Sequence, residues 1–445
     1  MCLPSEYIID EQNLSIWDES TGKRYLDVDR INNIPSGSQV LKLKNRDTIF
    51  IKSDEELLLK SGWKLIGFTG DEHLTKESSI QNSAIKIVNQ QSILIDNFSL
   101  SMEKYVNSKY SHGLIDIENE WKSGKAPIII KRLQLKNHYS AIWIKKGNHI
   151  RIDSCHLEGN AHQIQLGHLG VNPVELHKYK VDDVSIKNCK IINSLGGNSN
   201  GIKTLSNCTG ILIESNLISN NVQDGIDLYP GGVDVIIRNN TIANNTIHGV
   251  EVKMYKDYLP AQTGQIKNVI ISGNHILNNG NSGILCWDSI GVPYYPTGVS
   301  IEENKIDSNG YYGICSFFPV SIQRNILSKN GLQKNLTRPT NPVGYTGILL
   351  LNGRPNESYH INGNQIIDQA PIKGINTTYS LTISGILSPV ELTGNKFIIS
   401  NPKDTILSQA KYGLGIVNSK KHVDTSKVIH NNYFSSGFIK NIVVQ

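Results

Sequence analysis

From Asp47 onward the chain is a succession of short runs in which aliphatic and β-branched residues alternate with polar ones, each bounded by Gly, Asn, Ser or Asp. DTIFIKS, ELLLK and WKLIGFTG open the series, and helical periodicity is almost absent. Alternation with a period of two over runs this short predicts strands with one buried face. From about residue 90 the runs join into a recurring unit: a strand such as VSIKN, one residue in a fixed place, a second short strand, an Asn/Gly turn, then Gly-Ile. The fixed place is held by Phe98, Leu133, Cys155, Cys189, Asn216, Asn240, Asn274, Asn304, Asn325, Asn364, Asn395 and Asn432. A unit of this length that keeps recurring predicts stacked coils, each burying the apolar residues of the next. The column reads as a stacking device, because asparagine accepts left-handed backbone geometry and its amide can bond the turn of the next coil. Cys155 and Cys189, which share the column, are then expected to be buried thiols with no redox role.

The Gly-Ile and Gly-Val pairs give a second alignment. Residues Asn200 to Lys253 read NGIKTLSNCTGILIESNLISNN, VQDGIDLYPGGVDVIIRNNTIANN and TIHGVEVK, which sets Lys203, Asp227 and Glu251 in one column at steps of 24 residues. Asn200, Asp224 and His248 form another, three residues earlier. With the Ile pointing into the core, the next residue and the one two further on face outward. The outward column is then Trp143, Gln165, Lys203, Asp227, Glu251, Leu285 and Cys315, and its neighbour includes Lys145, Tyr229, Lys253, Trp287 and Phe317. Ser140, His162, Asn200, Asp224, His248, Ser282 and Tyr312 make the earlier column. Outward columns of a coil stack are polar simply because they face water, and Lys–Asp–Glu neighbours there form ordinary surface ion pairs. What departs from that is three carboxyls, Asp224, Asp227 and Glu251, with Lys203, Lys253 and His248 nearby to compensate. Clusters of this kind shift pKa values and mark functional sites. The expected site is a groove centred on Lys203, Asp227 and Glu251, with Trp143, His162, Gln165, Tyr229, Lys253 and Trp287 contacting substrate, the aromatics as platforms for sugar faces.

Composition narrows this picture little. The chain has 445 residues, 38% hydrophobic and 19% charged, with a net charge of +5 from 44 Lys+Arg against 39 Asp+Glu. That charge is too mild to demand nucleic acid and suits a polyanionic carbohydrate at least as well. No apolar run approaches the ~18 residues of a membrane helix, so no membrane partner is expected. Six cysteines (2, 155, 189, 208, 286, 315) give neither a disulfide framework nor a CxxC metal motif. The start, MCLPSEYIIDEQNL, has no basic-then-apolar leader, so export is not encoded in it or a leader preceded it. Residues 1–45 are expected to cap the first coil and residues 46–440 to form one coil domain, with insertions at Gly167–Asp183, Tyr255–Lys267, Ser289–Gly298, Gly331–Gly344 and Lys403–Lys427. His168 and His177 in the first insertion read as loop residues.

The repeat resembles the right-handed parallel β-helix family, which includes pectate-lyase-like enzymes and viral tailspikes; the resemblance covers roughly residues 45 to 440. It implies an all-β, single-stranded right-handed parallel β-helix with an N-terminal cap, located outside the cell, at its surface or on a virion, as a monomer or, if tailspike-like, a homotrimer. The run QDGIDLY resembles three motifs of that family at once. One group of lyases carries a D-x-x-D turn that binds calcium beside a lysine base; Asp224 and Asp227 match the acidic pair and Lys203 or Lys253 the lysine, while Gln223 stands where a further aspartate is usual. Alginate C5-epimerases carry Y-G-F-D-P-H; Asp227 matches the aspartate, Asp224 replaces the tyrosine, Tyr229 replaces the histidine, and His248 sits where another aspartate would follow. Tailspike hydrolases use D-x-x-D with a glutamate on a nearby coil, as Asp224, Asp227 and Glu251 would. The resemblance implies a polysaccharide lyase or C5-epimerase acting on an acidic, uronate-containing glycan. Lys203 would be the base, Asp224, Asp227 and Glu251 would hold Ca2+, and His248 would stand in the catalytic set. The alternatives are a glycoside hydrolase with paired carboxyls and a non-catalytic glycan-binding adhesin.

Overall fold

The computed structural model describes residues 5–44, 48–78, 82–105, 112–119, 126–168, 178–205, 207–229, 231–254, 266–288, 296–331, 346–352, 357–369, 379–386, 388–400, 412–418, 423–436, 438 and 440–444. The chain divides into two compact units, Met1–Leu217 and Ile218–Gln445. Both consist of parallel strands stacked coil upon coil on three faces.

In the second unit one face stacks Gly232–Arg238, Ile266–Ser272, Thr297–Glu302, Ser321–Gln323, Tyr359–Asn362 and Val390–Thr393 in continuous parallel register. A second face stacks the three-residue strands from Thr241–Ala243 to Lys396–Ile398. The third, which carries the candidate site, stacks Ile226–Leu228, Val250–Met254, Ile284–Asp288, Ile314–Ser316, Thr346–Leu351, Tyr379–Ser384 and Tyr412–Val417. The expected alternation is plain: in Gly232–Arg238, Val235 and Ile237 are wholly buried whereas Ile236 is half-buried and Arg238 exposed. Each aliphatic side chain withdrawn from water in this way contributes about 1.5–3 kcal/mol.

The recurring place between strands is filled as a ladder. Asn240, Asn274, Asn304, Asn325, Asn364 and Asn395 are buried, and each donates both its backbone N–H and its amide Nδ2 to the Oδ1 of the next, at 2.9–3.0 Å. The left-handed residue is not the ladder asparagine, as its chemistry suggested, but the one before it: Asn239, Glu303 and Arg324 have φ of 57°, 57° and 53°. This turn points the asparagine inward and leaves its predecessor in solvent. A second ladder, Asn221, Asn245, Asn279, Asn309, Asn330 and Gln369, closes the next corner.

The Gly-Ile pairs have a steric cause. A Cβ on Gly225 would lie 2.7 Å from the carbonyl oxygen of Gly249, and one on Gly249 would lie 2.6 Å from that of Gly283. Successive coils approach too closely there for any side chain.

The first unit repeats the three-face pattern. In its ladder the thiol of Cys189 replaces an amide: the Cys155 N–H donates to Cys189 Sγ at 3.4 Å, and the Cys189 N–H donates to Asn216 Oδ1 at 2.9 Å. Both thiols are buried. The stretch read as a cap is itself coiled. Ser5–Ile9 pairs in parallel with Gln39–Leu43, which pairs in parallel with Lys64–Gly67. Among the described residues of this stretch, the strand Ser15–Asp18, antiparallel to Lys23–Leu26, and the helix Val28–Asn32, capped by Asp27, depart from the repeat, whereas Lys23–Leu26 itself pairs in parallel with Ile49–Ile51. Of the insertion read at Lys403–Lys427, residues 412–417 are a strand of the stack and Thr425–Asn431 is a helix capped by Asp424. The centres of the other four insertions, and His177, lie outside the described residues.

Candidate active site

In the second unit, the strand Ile226–Leu228 turns Ile226 and Leu228 into the core and Asp227 to the opposite side of the pleat. Parallel register sets Asp227 beside Glu251 and Leu228 beside Val252. Asp224, three residues before Asp227, accepts the backbone N–H of His248 at 2.9 Å. Oxygens of Asp224, Asp227 and Glu251 all lie within 4.8 Å of one another. Sequence reasoning placed these groups on a solvated face; they are 3%, 0% and 8% exposed, so they are not surface ion pairs.

Lys253 answers their charge. Its Nζ lies 3.3 Å from Asp227 Oδ1 and forms a very short ion pair with Glu251. The same ammonium sits 5.0 Å from the centre of the Tyr229 ring, and Trp287 is its register partner on the other side. The result is a cation held against an aromatic ring over a carboxyl cluster. Burial, followed by the charges of Glu251 and Asp227, pushes Asp224 well above the usual aspartate range. Burial also raises Glu251, against the opposing pull of Lys253. Burial would lower Lys253, but Asp227, Glu251 and Asp224 hold it above the ordinary lysine value. Lys253 is therefore an ammonium at neutral pH, a neutraliser of charge and not a base. His248 is 8% exposed and accepts the Ser282 N–H on Nδ1 at 3.2 Å, which leaves the ring proton on Nε2.

The remaining expected residues belong to the first unit. Lys203 is half-buried in the strand Ile202–Thr204, in register with Gln165. Gln165 is buried and accepts a 2.7 Å bond from Ser140 Oγ. His162 is buried edge-on to Tyr139, with ring centres 5.3 Å apart. Trp143, expected as an open platform, is only 8% exposed; its Nε1–H donates to the Gly167 carbonyl at 2.9 Å and its ring stacks on His168. Trp143, His162 and Gln165 are thus packed, internally bonded groups, and His168 is a stacking partner. One ionic group of this unit escaped the sequence reading. Lys145 Nζ lies 2.6 Å from Asp116 and 2.8 Å from Glu118, with His112 Nδ1 3.5 Å from Asp116. Extending the outward column one coil earlier, through IDIE at 115–118, would have found it.

The carboxyl cluster has the composition a hard cation takes. Calcium is bound by oxygens at 2.3–2.6 Å, so oxygens within 4.8 Å of one another fit on one coordination sphere. Lys253 already places a positive charge against two of the three carboxyls.

The profile of the right handed beta helix region family matches residues 65–259 and 176–438. The protein belongs to this family, and its coils are those of a right-handed parallel β-helix. Among solved structures, the surface protein and adhesin PfbA of Streptococcus pneumoniae is similar with a TM-score of 0.54 and 14% identity, covering 88% of this chain and 94% of that one. The A-module of the Azotobacter vinelandii mannuronan C-5 epimerase AlgE4 gives a TM-score of 0.46 and 14% identity, covering 94% and 91%. A tailspike protein of E. coli bacteriophage HK620, in complex with a pentasaccharide, gives 0.45 and 11%, covering 94% and 75%. Likeness at these identities speaks to the fold. No curated protein sequence matches the chain.

Proposed function

We propose that the protein is a carbohydrate-active enzyme whose site is built on Asp224, Asp227 and Glu251, and that it acts as a polysaccharide lyase or C5-epimerase on a uronate-containing glycan. One observation carries the reading: three buried carboxyls converge on one point, and two of them, Asp227 and Glu251, hold the ammonium of Lys253 there. Abstraction of the proton α to a uronate carboxylate builds negative charge that a fixed positive charge must meet. Calcium held by Asp224, Asp227 and Glu251 would supply such a charge. Within the chain, Lys253 contributes a permanent ammonium, and Tyr229 lies against it as a face for a sugar ring. The glycan-binding and enzymatic relatives of the fold, among them a mannuronan epimerase and a tailspike seen with an oligosaccharide, support a glycan partner.

A second reading, glycoside hydrolysis, is favoured by the Lys253 contacts: the ammonium neutralises Asp227 and Glu251 without a metal and leaves Asp224 to keep a proton. Protonated and ionised carboxyls side by side are what hydrolysis requires. The experiment is incubation with acidic and neutral polysaccharides, with and without a chelator. New ends that absorb in the ultraviolet and vanish with chelator support the calcium lyase. Reducing ends without that absorbance, indifferent to chelator, support hydrolysis. Exchange of the α proton with deuterium, without new ends, identifies an epimerase. Binding with none of these changes leaves the adhesin reading.

A further inference from the structure

Lys145 and Lys253 each sit against two carboxyls with an aromatic ring alongside, and they differ in one respect. In the first unit Lys145 Nζ lies 2.6 Å from Asp116, 2.8 Å from Glu118 and 5.0 Å from the centre of the Trp143 ring. A β-bulge puts it there: Ile117 pairs with Ile144 and Glu118 with Lys146, so Lys145 is the extra residue, re-aimed onto the two acids. One ammonium shared by two acids is a self-contained structural group. In the second unit Lys253 has the matching contacts, Asp227 at 3.3 Å, Glu251 in a very short pair, and the Tyr229 ring at 5.0 Å. Here a third carboxyl, Asp224, converges on the same point, with oxygens of all three within 4.8 Å of one another. A structural pair gains nothing from this acid, and burying it at 3% exposure is costly. A cluster with one acid more than the Lys145 group suits a higher charge than an ammonium carries.

The ammonium and such a charge exclude each other. An ion held by the three carboxyls would take oxygens that Lys253 Nζ now engages, and the two positive charges would repel with little screening, since the Lys253 side chain is only 16% exposed. We propose that Lys253 is a built-in competitor for a divalent cation: its ammonium keeps the seat among Asp224, Asp227 and Glu251, and calcium enters only as Lys253 leaves it. The inference rests on the reading of the carboxyl cluster as a cation-holding site and adds the device that regulates its occupancy.

The test is calcium binding by the full chain near neutral pH. It is read by titration calorimetry and by the melting midpoint in chelator and in about 10 mM calcium, above the range of weak extracellular calcium sites. The parent should bind weakly, and Lys253→Met should bind at least about tenfold more tightly, because a little-screened like charge is gone from beside the ion. The midpoint that Lys253→Met loses in chelator should be largely restored by calcium, since an ion that binds only the folded chain stabilises it; the parent's should hardly move. Lys253→Arg, which keeps the charge, should behave as the parent. Lys253→Met/Asp224→Asn, which removes the surplus acid, should lose the gained affinity. Lys145→Met, which leaves two acids, should gain none and should not be rescued by calcium. Equal affinity in the parent and Lys253→Met, binding by neither, a gain that survives Asp224→Asn or appears equally in Lys145→Met, or a Lys253→Met chain that stays unfolded in calcium overturns the competitor. Tight binding by the parent, unaltered in Lys253→Met, would overturn it while leaving a calcium enzyme standing. Gained affinity in Lys253→Met, with no turnover of any polysaccharide by the parent, would leave the competitor standing and remove the enzymatic reading.

Discussion

Replacement of Lys253 by Met tests whether its ammonium is what makes the carboxyl cluster tolerable. The substitution keeps the aliphatic stem beside Tyr229 and deletes the charge 3.3 Å from Asp227 and in contact with Glu251. The side chains of Lys253, Asp227 and Glu251 are 16%, 1% and 10% exposed, so solvent screens little of the loss. Removing one member of a buried pair costs about 3–5 kcal/mol. At about 2–4 °C per kcal/mol for a unit of this size, the melting midpoint should fall by roughly 10 °C near neutral pH. The dependence on pH is the sharper signature. Asp224 and Glu251 already have folded pKa values raised above their ordinary range, and loss of the ammonium raises them further. A carboxyl with a raised folded pKa binds more protons folded than unfolded, so stability falls as pH climbs from the ordinary carboxyl value through the folded one. The deficit of the variant should therefore be small at about pH 4.5 and full at about pH 7.5. The parent keeps the benefit of Lys253 until pH passes the lysine range, since the folded pKa of that group is raised. Melting followed by circular dichroism at both pH values, with Lys253→Met/Asp224→Asn as a partial rescue, decides the matter. A deficit equal at the two pH values, or none at the higher one, would refute the reasoning.

Other expectations follow from the same contacts. Asp227→Asn and Glu251→Gln should each abolish turnover of the responsive polysaccharide yet leave melting near the parent value, because each removes one negative charge from a crowded acidic group; full activity in both would move the site elsewhere. Asn304→Ala removes the bonds to Ile271 O and Asn325 Oδ1 and strands the Asn274 N–H, buried groups on both sides. It should cost about 2–5 kcal/mol, measured by denaturant unfolding, with faster hydrogen exchange at Asn274. Lys76 is wholly buried, donates to the carbonyls of Lys52 and Glu55, and has its pKa lowered to about 8 by burial. Its folded pKa lies below its unfolded one, so the parent should gain stability as pH rises from about 8 toward 10; Lys76→Met should flatten that rise in a melting series.

The fold was legible because its determinants are local and repeat. Period-two alternation, glycine where coils touch, and an inward amide once per coil are each visible as columns of letters. The second ladder was overlooked although the doublets Asn220-Asn221, Asn244-Asn245 and Asn278-Asn279 spell it out: in each, the first residue takes a left-handed φ of 56–57° and the second turns inward. The identity of Asp224, Asp227 and Glu251 as neighbours was equally readable, since register follows from repeat length. Their burial was not. Alternation says which side of the pleat a residue occupies, not whether that side is wet. Trp143 illustrates the same limit, since its partner His168 comes from beyond the strand. The pairing of Lys253 with Glu251 two residues away depended on side-chain direction, which column arithmetic does not contain.

The asparagine ladders separate two jobs that most folds entangle. Spacing and alignment of the coils are enforced from inside, by amides that bond one another from coil to coil. The outer face is thereby released from holding the architecture together. Residues there can be exchanged like type set in a fixed frame, one letter per coil, and a new sequence of outward letters spells a different groove without moving a strand. A lineage built on such a frame can pass from binding a polymer to cutting it through a few outward substitutions, each tried on a backbone that has already been stabilised.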